Sequence, residues 1–185
     1  MCFGEYQLFK GTNTYNINSC ETIEVFYNIR TDLDKLNAAS GITRIVKDVT
    51  YENQNTYKIL QLFLNTLYTI SETDKDLNLV IAAFKLRLLS ILGVKPNVNE
   101  CTKCSSKENI EFFSFDDSGI KCKDCGHGDK SAIQISMGTR AAMQYIINVE
   151  PKKIFSFNIS EEVKNELNMI SKMYTNEKLE KDYTI

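Results

Sequence analysis

Four cysteines constrain this chain more than any other feature. They form two close pairs, Cys101-x2-Cys104 and Cys122-x2-Cys125, separated by seventeen residues. That separation falls in the ~15–20 residue range of two-knuckle zinc sites. Two residues between cysteines let a tight turn aim both sulfurs at one ion, and Zn²⁺ prefers four soft donors in a tetrahedron. Glu111–Phe115 reads as a strand, Asp116–Gly119 as a turn and Ile120–Cys122 as the returning strand. So small a hairpin cannot hold itself, and the metal is expected to supply its folding energy. One structural Zn²⁺ per chain is therefore expected, held by Cys101, Cys104, Cys122 and Cys125. Gly126 is expected to relieve the backbone of the second knuckle, and Ser105 to leave the first less regular.

A catalytic zinc keeps a coordination position open for water, whereas four thiolates close the site. A deaminase would need an H-x-E motif, and His127 is the only histidine. It is the alternative to Cys125 as fourth ligand; a solvated loop histidine is the reading preferred. No Gly-rich phosphate loop and no nucleophile elbow occur, so an enzyme is not expected. Cys2 and Cys20 are isolated and read as small buried apolar residues.

The rest reads as mainly helical. An apolar share of 43% can bury a core. Glu5–Phe9 and Thr14–Ile17 alternate around a turn at Lys10–Asn13 and predict a β-hairpin. From Glu21 the period turns helical, with Asp32 and Asp34 near a helix start; Gly41–Gln54 is ambiguous. Thr56–Ile70 predicts a helix with Ile59, Leu60, Phe63, Leu67 and Ile70 on one face. Thr73 with Asp76 resembles a capping arrangement for a helix from Lys75 to Leu92, apolar nearly all round and hence central. Gly93 and Pro96 stop it. Ser136 opens another helix, Phe155–Phe157 is a short extended piece, and Ser160 caps a final helix with a frayed tail beyond Glu177. Residues 1–20 are thus a hairpin unit and 21–185 a helical domain, with 97–130 inserted as the cysteine ribbon.

Charge narrows the partners. The chain has 22 basic and 24 acidic residues, formally −2, so contact with nucleic acid needs a local patch. The ribbon itself is net acidic, with five lysines against seven acids; Lys103, Lys121 and Lys123 are placed to offset thiolate charge. Lys85, Arg87, Lys95 and Arg140 are the candidate contacts for DNA or a protein partner. The most apolar stretch, Leu77–Leu92, is broken by Lys85 and Arg87 and is shorter than the roughly 20 residues of a membrane helix. No membrane association is expected. Cysteines that read as metal ligands, with no export signal, suggest a cytoplasmic location.

Taken in order, several segments resemble one family. Phe84–Pro96 followed by Cys101-Thr-Lys-Cys104 is similar to the helix-to-ribbon junction of the RecO family of bacterial recombination mediators. Phe113–Asp116 and Gly119–Cys122 resemble its ribbon hairpin. Ile135-Ser136 and Ile154–Phe157 resemble the entries to its last two helices. Leu8–Gly11, Tyr15 and Ile29–Leu33 resemble the end of its N-terminal OB-fold and its first helix. The resemblance implies a non-enzymatic role in DNA repair and homologous recombination. It implies binding of single-stranded DNA, annealing, work with RecR and the C-terminal tail of SSB, help in loading RecA, and a place at repair sites on the nucleoid. Residues 1–20 then look like the terminal hairpin of a truncated OB-fold. An OB-fold binds nucleic acid on its strand face, so DNA binding would be weakened without it. The alternative is a zinc-stabilised protein–protein adaptor that has lost DNA binding.

Overall fold

The computed structural model describes residues 1–183 and Ile185. Its elements run β1 (Cys2–Lys10), β2 (Tyr15–Val25), α1 (Leu33–Val49), α2 (Tyr57–Glu72), α3 (Leu77–Ile91), β3 (Ile110–Ser114), β4 (Gly119–Cys122), α4 (Lys123–Gly126), β5 (Ala132–Gln134), α5 (Met137–Asn148) and α6 (Glu161–Lys178). The expected architecture holds: a helical body, a small cysteine-bearing sheet between α3 and α5, and a hairpin in front.

β1 and β2 form a two-stranded antiparallel sheet of their own. The alternation continues past the expected switch at Glu21, and β2 runs on to Val25. The apolar residues after Glu21 that suggested a helix are strand residues as far as Val25. The register pairs Cys2 with Val25, Tyr6 with Cys20, Leu8 with Ile17 and Lys10 with Tyr15. These pairs share one face, and Glu5–Glu21 and Gln7–Ser19 lie on the other. The apolar face is open to solvent, with Ile17 66% exposed. Cys2 and Cys20 are accordingly exposed, against the expectation of burial.

Phe26 and Ile29 are buried and anchor the base of the hairpin on the helices. Asp32 caps α1, its carboxylate accepting from the N–H groups of Asp34 (2.8 Å) and Lys35 (3.1 Å). α1 occupies most of the segment left ambiguous by the sequence and buries Ala38, Ile42, Ile45 and Val49. α2 follows its predicted span, but Leu62 rather than Leu60 lies inward; Leu60 is 42% exposed.

α3 is the central helix. Leu79, Val80, Phe84, Leu86, Leu88 and Leu89 are all buried, and α1, α2, α5 and α6 pack around it. Its cap is Asp76, accepting from the Leu79 N–H at 3.1 Å. Thr73 instead bonds back to the Thr69 carbonyl at 2.7 Å and closes α2. Gly93, at φ +84, turns the chain out of α3 in the left-handed conformation glycine favours.

α5 and α6 are joined at their starts. Ser136 caps α5 through the Thr139 N–H (3.2 Å), and Glu166 of α6 accepts from the Ser136 N–H (2.8 Å) and hydroxyl (3.0 Å). The approach is close: a Cβ at Gly138 would lie 2.6 Å from a Val163 methyl. Phe155–Phe157 forms no strand; Ser156 N–H turns back onto the Lys153 carbonyl at 2.9 Å. Ser160 caps α6, and Val163, Leu167, Ile170 and Tyr174 are buried as expected. The chain after α6 is docked rather than frayed, with Tyr183 2% exposed; at Thr184 that expectation lies outside the described residues.

The central helix gives the first prediction. Leu86→Ala should cost about 2–5 kcal/mol in urea unfolding, the range for a buried leucine truncated to alanine. Leu60→Ala should change stability by no more than about 0.5 kcal/mol.

Candidate metal centre

The ribbon places its two knuckles by pairing the chain on both sides of β4. Asn97 N–H donates to the Ser118 carbonyl, and Ile120 N–H to the Asn97 carbonyl, both at 2.9 Å. Thr102 N–H then reaches the Ile120 carbonyl at 2.9 Å. Gly119 is required here, since a Cβ would lie 2.6 Å from the Asn97 carbonyl oxygen. These bonds lay the first cysteine pair beside the strand that ends in the second.

In the first knuckle Cys101 N–H donates to the Ser106 carbonyl (2.7 Å) and Ser105 N–H to the Cys101 carbonyl (2.9 Å). Ser105 adopts φ +59, so the turn closes without a glycine. The second knuckle is α4, a single turn directly after Cys122 that carries Cys125. Lys123 N–H ties its start to the Asn109 carbonyl at 2.8 Å. Gly126 serves packing rather than backbone freedom: its φ is not positive, and a Cβ would press into the Phe112 ring. β5 was not foreseen. It pairs with β3 and makes the sheet three-stranded, in the order β4-β3-β5.

The result is a compact sulfur cluster. The Sγ atoms of Cys101, Cys104, Cys122 and Cys125 all lie within 4.8 Å of one another, and those of Cys104 and Cys122 are 3.7 Å apart. A regular tetrahedron with metal–sulfur bonds near 2.3 Å has edges of about 3.8 Å. Cys101 and Cys122 are buried, Cys125 is half-buried and Cys104 is exposed. His127 stands outside the cluster; its exposed ring meets Phe112 edge-on at 5.4 Å.

The thiols interact strongly. Burial opposes ionisation of Cys101, but backbone N–H groups of Cys122, Cys104 and Lys103 outweigh it and bring the thiol down to about 6. Cys125 is pushed up to about 12, first by its hydrogen bond with Cys122 and then by burial. At Cys104 the Ser106 N–H favours the thiolate, yet the thiols of Cys101 and Cys122 prevail and raise it. Ionisation is thus favoured at Cys101 and opposed at Cys104 and Cys125. Four such donors could hold a soft divalent metal ion.

The ribbon's charged support is separate from the sulfurs. Lys121, 5% exposed, pairs with Asp117 and with Asp129 at 2.6 Å, so it does not offset thiolate charge as expected. The Lys121 ammonium, then the Ser114 hydroxyl, hold the Asp129 carboxyl well below the usual carboxylate range. Lys103 and Lys123 are exposed.

Ribbon and body meet along a mixed seam. Phe113 is fully buried, edge-on to Phe115 at 5.2 Å and to Tyr174 of α6 at 5.7 Å. The Tyr174 hydroxyl donates to the Val94 carbonyl at 3.1 Å. Arg140 donates to the carbonyls of Lys107 (3.2 Å) and Asn99 (2.8 Å), and Gln144 to that of Val98 (2.7 Å). Sequence reasoning missed this clamp on the first knuckle, because a carbonyl target leaves no mark in the partner's residue type.

The four candidate cations are not brought together. Lys85 is 3% exposed and donates to the Tyr183 carbonyl at 3.0 Å, so this candidate contact lies inside the body. Burial, then the Lys172 charge, lowers it to about 8. Arg87 grips the end of α5, donating to the carbonyls of Ile146 (3.2 Å), Ile147 and Val149 (2.9 Å). It also edges a cleft of about 360 Å³ lined by Tyr57, Lys58, Leu62, Ile91, Ile147 and Ile154. Arg140 belongs to the ribbon clamp, and Lys95 is exposed on the loop leaving α3.

Comparison with known proteins agrees with this architecture. Residues 30–184 match the family described as "Recombination protein O C terminal". The chain is 44% identical over its whole length to the "DNA repair protein RecO" of Acetivibrio thermocellus, covering 74% of that protein. It is 28% identical over 93% of its length to the protein of the same name from Alkaliphilus metalliredigens, covering 70% of it. It is 29% identical over 96% of its length to that from Thermoanaerobacter sp. strain X514, covering 72% of it.

Two predictions arise here. The cluster should take up one Co²⁺ per chain with thiolate-to-metal absorption, and Cys104→Ser should abolish that spectrum while leaving most helical circular dichroism. Uptake needs deprotonated thiols, so affinity should fall as the pH is lowered. The second concerns Asp129. Its depressed carboxyl contributes stability above the unfolded carboxylate range, which is lost as the pH falls through that range and below. Asp129→Asn should therefore speed amide exchange in β3–β5 at neutral pH, and the gap to the native ribbon should narrow in acid.

Proposed function

This chain belongs to the RecO family, a family of DNA repair proteins, and from that premise we propose that it acts as a recombination mediator of the RecO type. It binds single-stranded DNA together with RecR and SSB, promotes annealing and helps RecA load; it works in the cytoplasm, at repair sites on the nucleoid, and catalyses no bond chemistry. The observation that carries this reading is the match of the whole chain to 74% of a repair protein, combined with the four-sulfur ribbon seated between α3 and α5. We assign Cys101, Cys104, Cys122 and Cys125 as ligands of one structural Zn²⁺. The open apolar face of β1–β2 supports reading the hairpin as the end of an OB-fold, since a two-stranded sheet with one apolar face needs a covering layer.

The cleft beside Arg87 is our candidate for the SSB tail. It joins an apolar floor from Leu62, Ile91 and Ile154 to the charges of Arg87 and Lys58, which suits an acidic segment ending in an aromatic ring. One observation favours the adaptor reading instead. Lys85, Arg87 and Arg140, three of the four candidate cations, donate to main-chain carbonyls of the chain itself.

A salt titration separates the two. The mediator should bind a fluorescent single-stranded oligonucleotide with affinity falling steeply as salt rises, the log–log slope losing about 0.7 for each phosphate contact removed. Lys95→Glu should weaken that binding. Absence of binding at low salt, with peptide binding retained in the cleft and reduced by Lys58→Glu, would establish the adaptor.

A further inference from the structure

After α6 the chain turns back across α1 and α3. Glu180 takes a left-handed φ of +51, and the segment that follows lies over Lys85. Its contacts are specific. Lys85 donates to the Tyr183 carbonyl at 3.0 Å and Arg44 to the Asp182 carbonyl at 3.3 Å. The Tyr183 hydroxyl donates to Asp48 at 3.0 Å, while the Arg44 and Lys181 charges lie over its ring at 5.7 and 5.9 Å. Asn176 accepts from the Tyr183 N–H at 3.0 Å. Ile185 sits on Gly41, where a Cβ would fall 2.6–2.9 Å from its side-chain carbons.

Two cations thus read consecutive carbonyls, a carboxylate reads a phenol, and a bare backbone position receives an aliphatic side chain. These are the elements of a peptide-recognition groove. The attachment is local: Tyr183 is buried, but Glu180, Lys181, Asp182 and Ile185 are exposed. A segment anchored by one buried side chain, with its neighbours exposed, can open without unfolding the body. Its departure would leave Lys85 inside the fold without the carbonyl it now bonds, a costly state that a replacement peptide relieves.

We propose that the α1–α3 groove is a peptide-binding site held shut by the chain's own C-terminal strap. The ligand it takes in trans is a peptide with an aromatic residue directly after an acidic one, as in Asp182-Tyr183. The strap is then an internal competitor that sets the threshold for an incoming partner. The proposal is independent of the DNA-binding reading and concerns a different face from the Arg87 cleft.

The test uses the full chain and a fluorescein-labelled peptide of residues 179–185. Tyr183→Ala weakens the strap in cis, so this variant should bind the peptide at least tenfold more tightly than the native chain. Adding Lys85→Met should remove most of that gain, and a peptide with alanine for tyrosine should not bind. A folded Tyr183→Ala chain with no more affinity than the native chain overturns the proposal. Should that variant fail to fold, Lys181→Ala, which removes the strap's ion pair with Asp48 (2.7 Å) and leaves the groove intact, takes its place in the same assay. Hydrogen exchange gives a second reading. Amides 179–183 should exchange well before those of α3, and exchange at a common rate would make the strap a fixed part of the core.

Discussion

Four sulfur atoms within 4.8 Å of one another are the constraint on which the rest of this molecule turns. The sheet that carries them has three short strands, and β5 contributes only three residues. Such a sheet buries too little apolar surface to fold alone. Its order therefore comes from outside itself: from an ion that would neutralise the thiolates, and from the helical body behind it. The body's share is visible in Phe113 against Tyr174 and in Arg140 and Gln144 on three carbonyls of the ribbon loop. With both supports, the sulfurs can be held at the near-tetrahedral spacing that one ion requires.

The charges obey the same economy. A near-neutral chain cannot rely on a broad positive field, and its conspicuous cations face inward. Lys85 supports the strap, Arg87 the end of α5, and Arg140 the first knuckle. Arg87 meets the negative end of the α5 dipole, where a cation is favourable. Because these side chains bond main-chain oxygen, they hold the shape of the body whatever residues lie opposite. The positive charge left at the surface is scattered, as at Lys58 beside the cleft, Lys95 on its loop and Lys103 and Lys123 on the ribbon.

What the sequence disclosed follows from the range of the forces involved. Cysteine spacing, the caps Ser136 and Ser160, and the stop at Gly93 act within a few residues, and each stands where it was read. α3 was legible because a helix apolar on every side has only one place to go. The failures lie where distant contacts decide. β2 and a helix offer similar apolar content after Glu21, and only pairing with β1 settles the choice. Cys2 and Cys20 read as core residues, yet the face they occupy has no cover among the described residues. Lys121 sits beside Cys122 in sequence but points to Asp117 and Asp129, because successive residues of a strand face opposite ways. The tail read as loose because Lys85, ninety-eight residues away, is what holds it.

If the strap groove and the cleft take partners as proposed, a chain of little net charge discriminates between them by shape as much as by charge. Each site sets a cation beside apolar surface: Arg87, held by carbonyls at the end of α5, in the cleft, and Lys85, bonded to the strap's own Tyr183 carbonyl, in the groove. Dispersion and desolvation give most of the attraction, and the fixed charge selects orientation. Contacts of this kind weaken little with salt, because the cation sits at a partly buried edge where screening is reduced. Phosphate binding at exposed lysines weakens steeply with salt, because each contact releases a condensed counterion. Under the proposed function, one body could therefore hold a protein partner while it lets go of a strand, because the two contacts respond differently to salt.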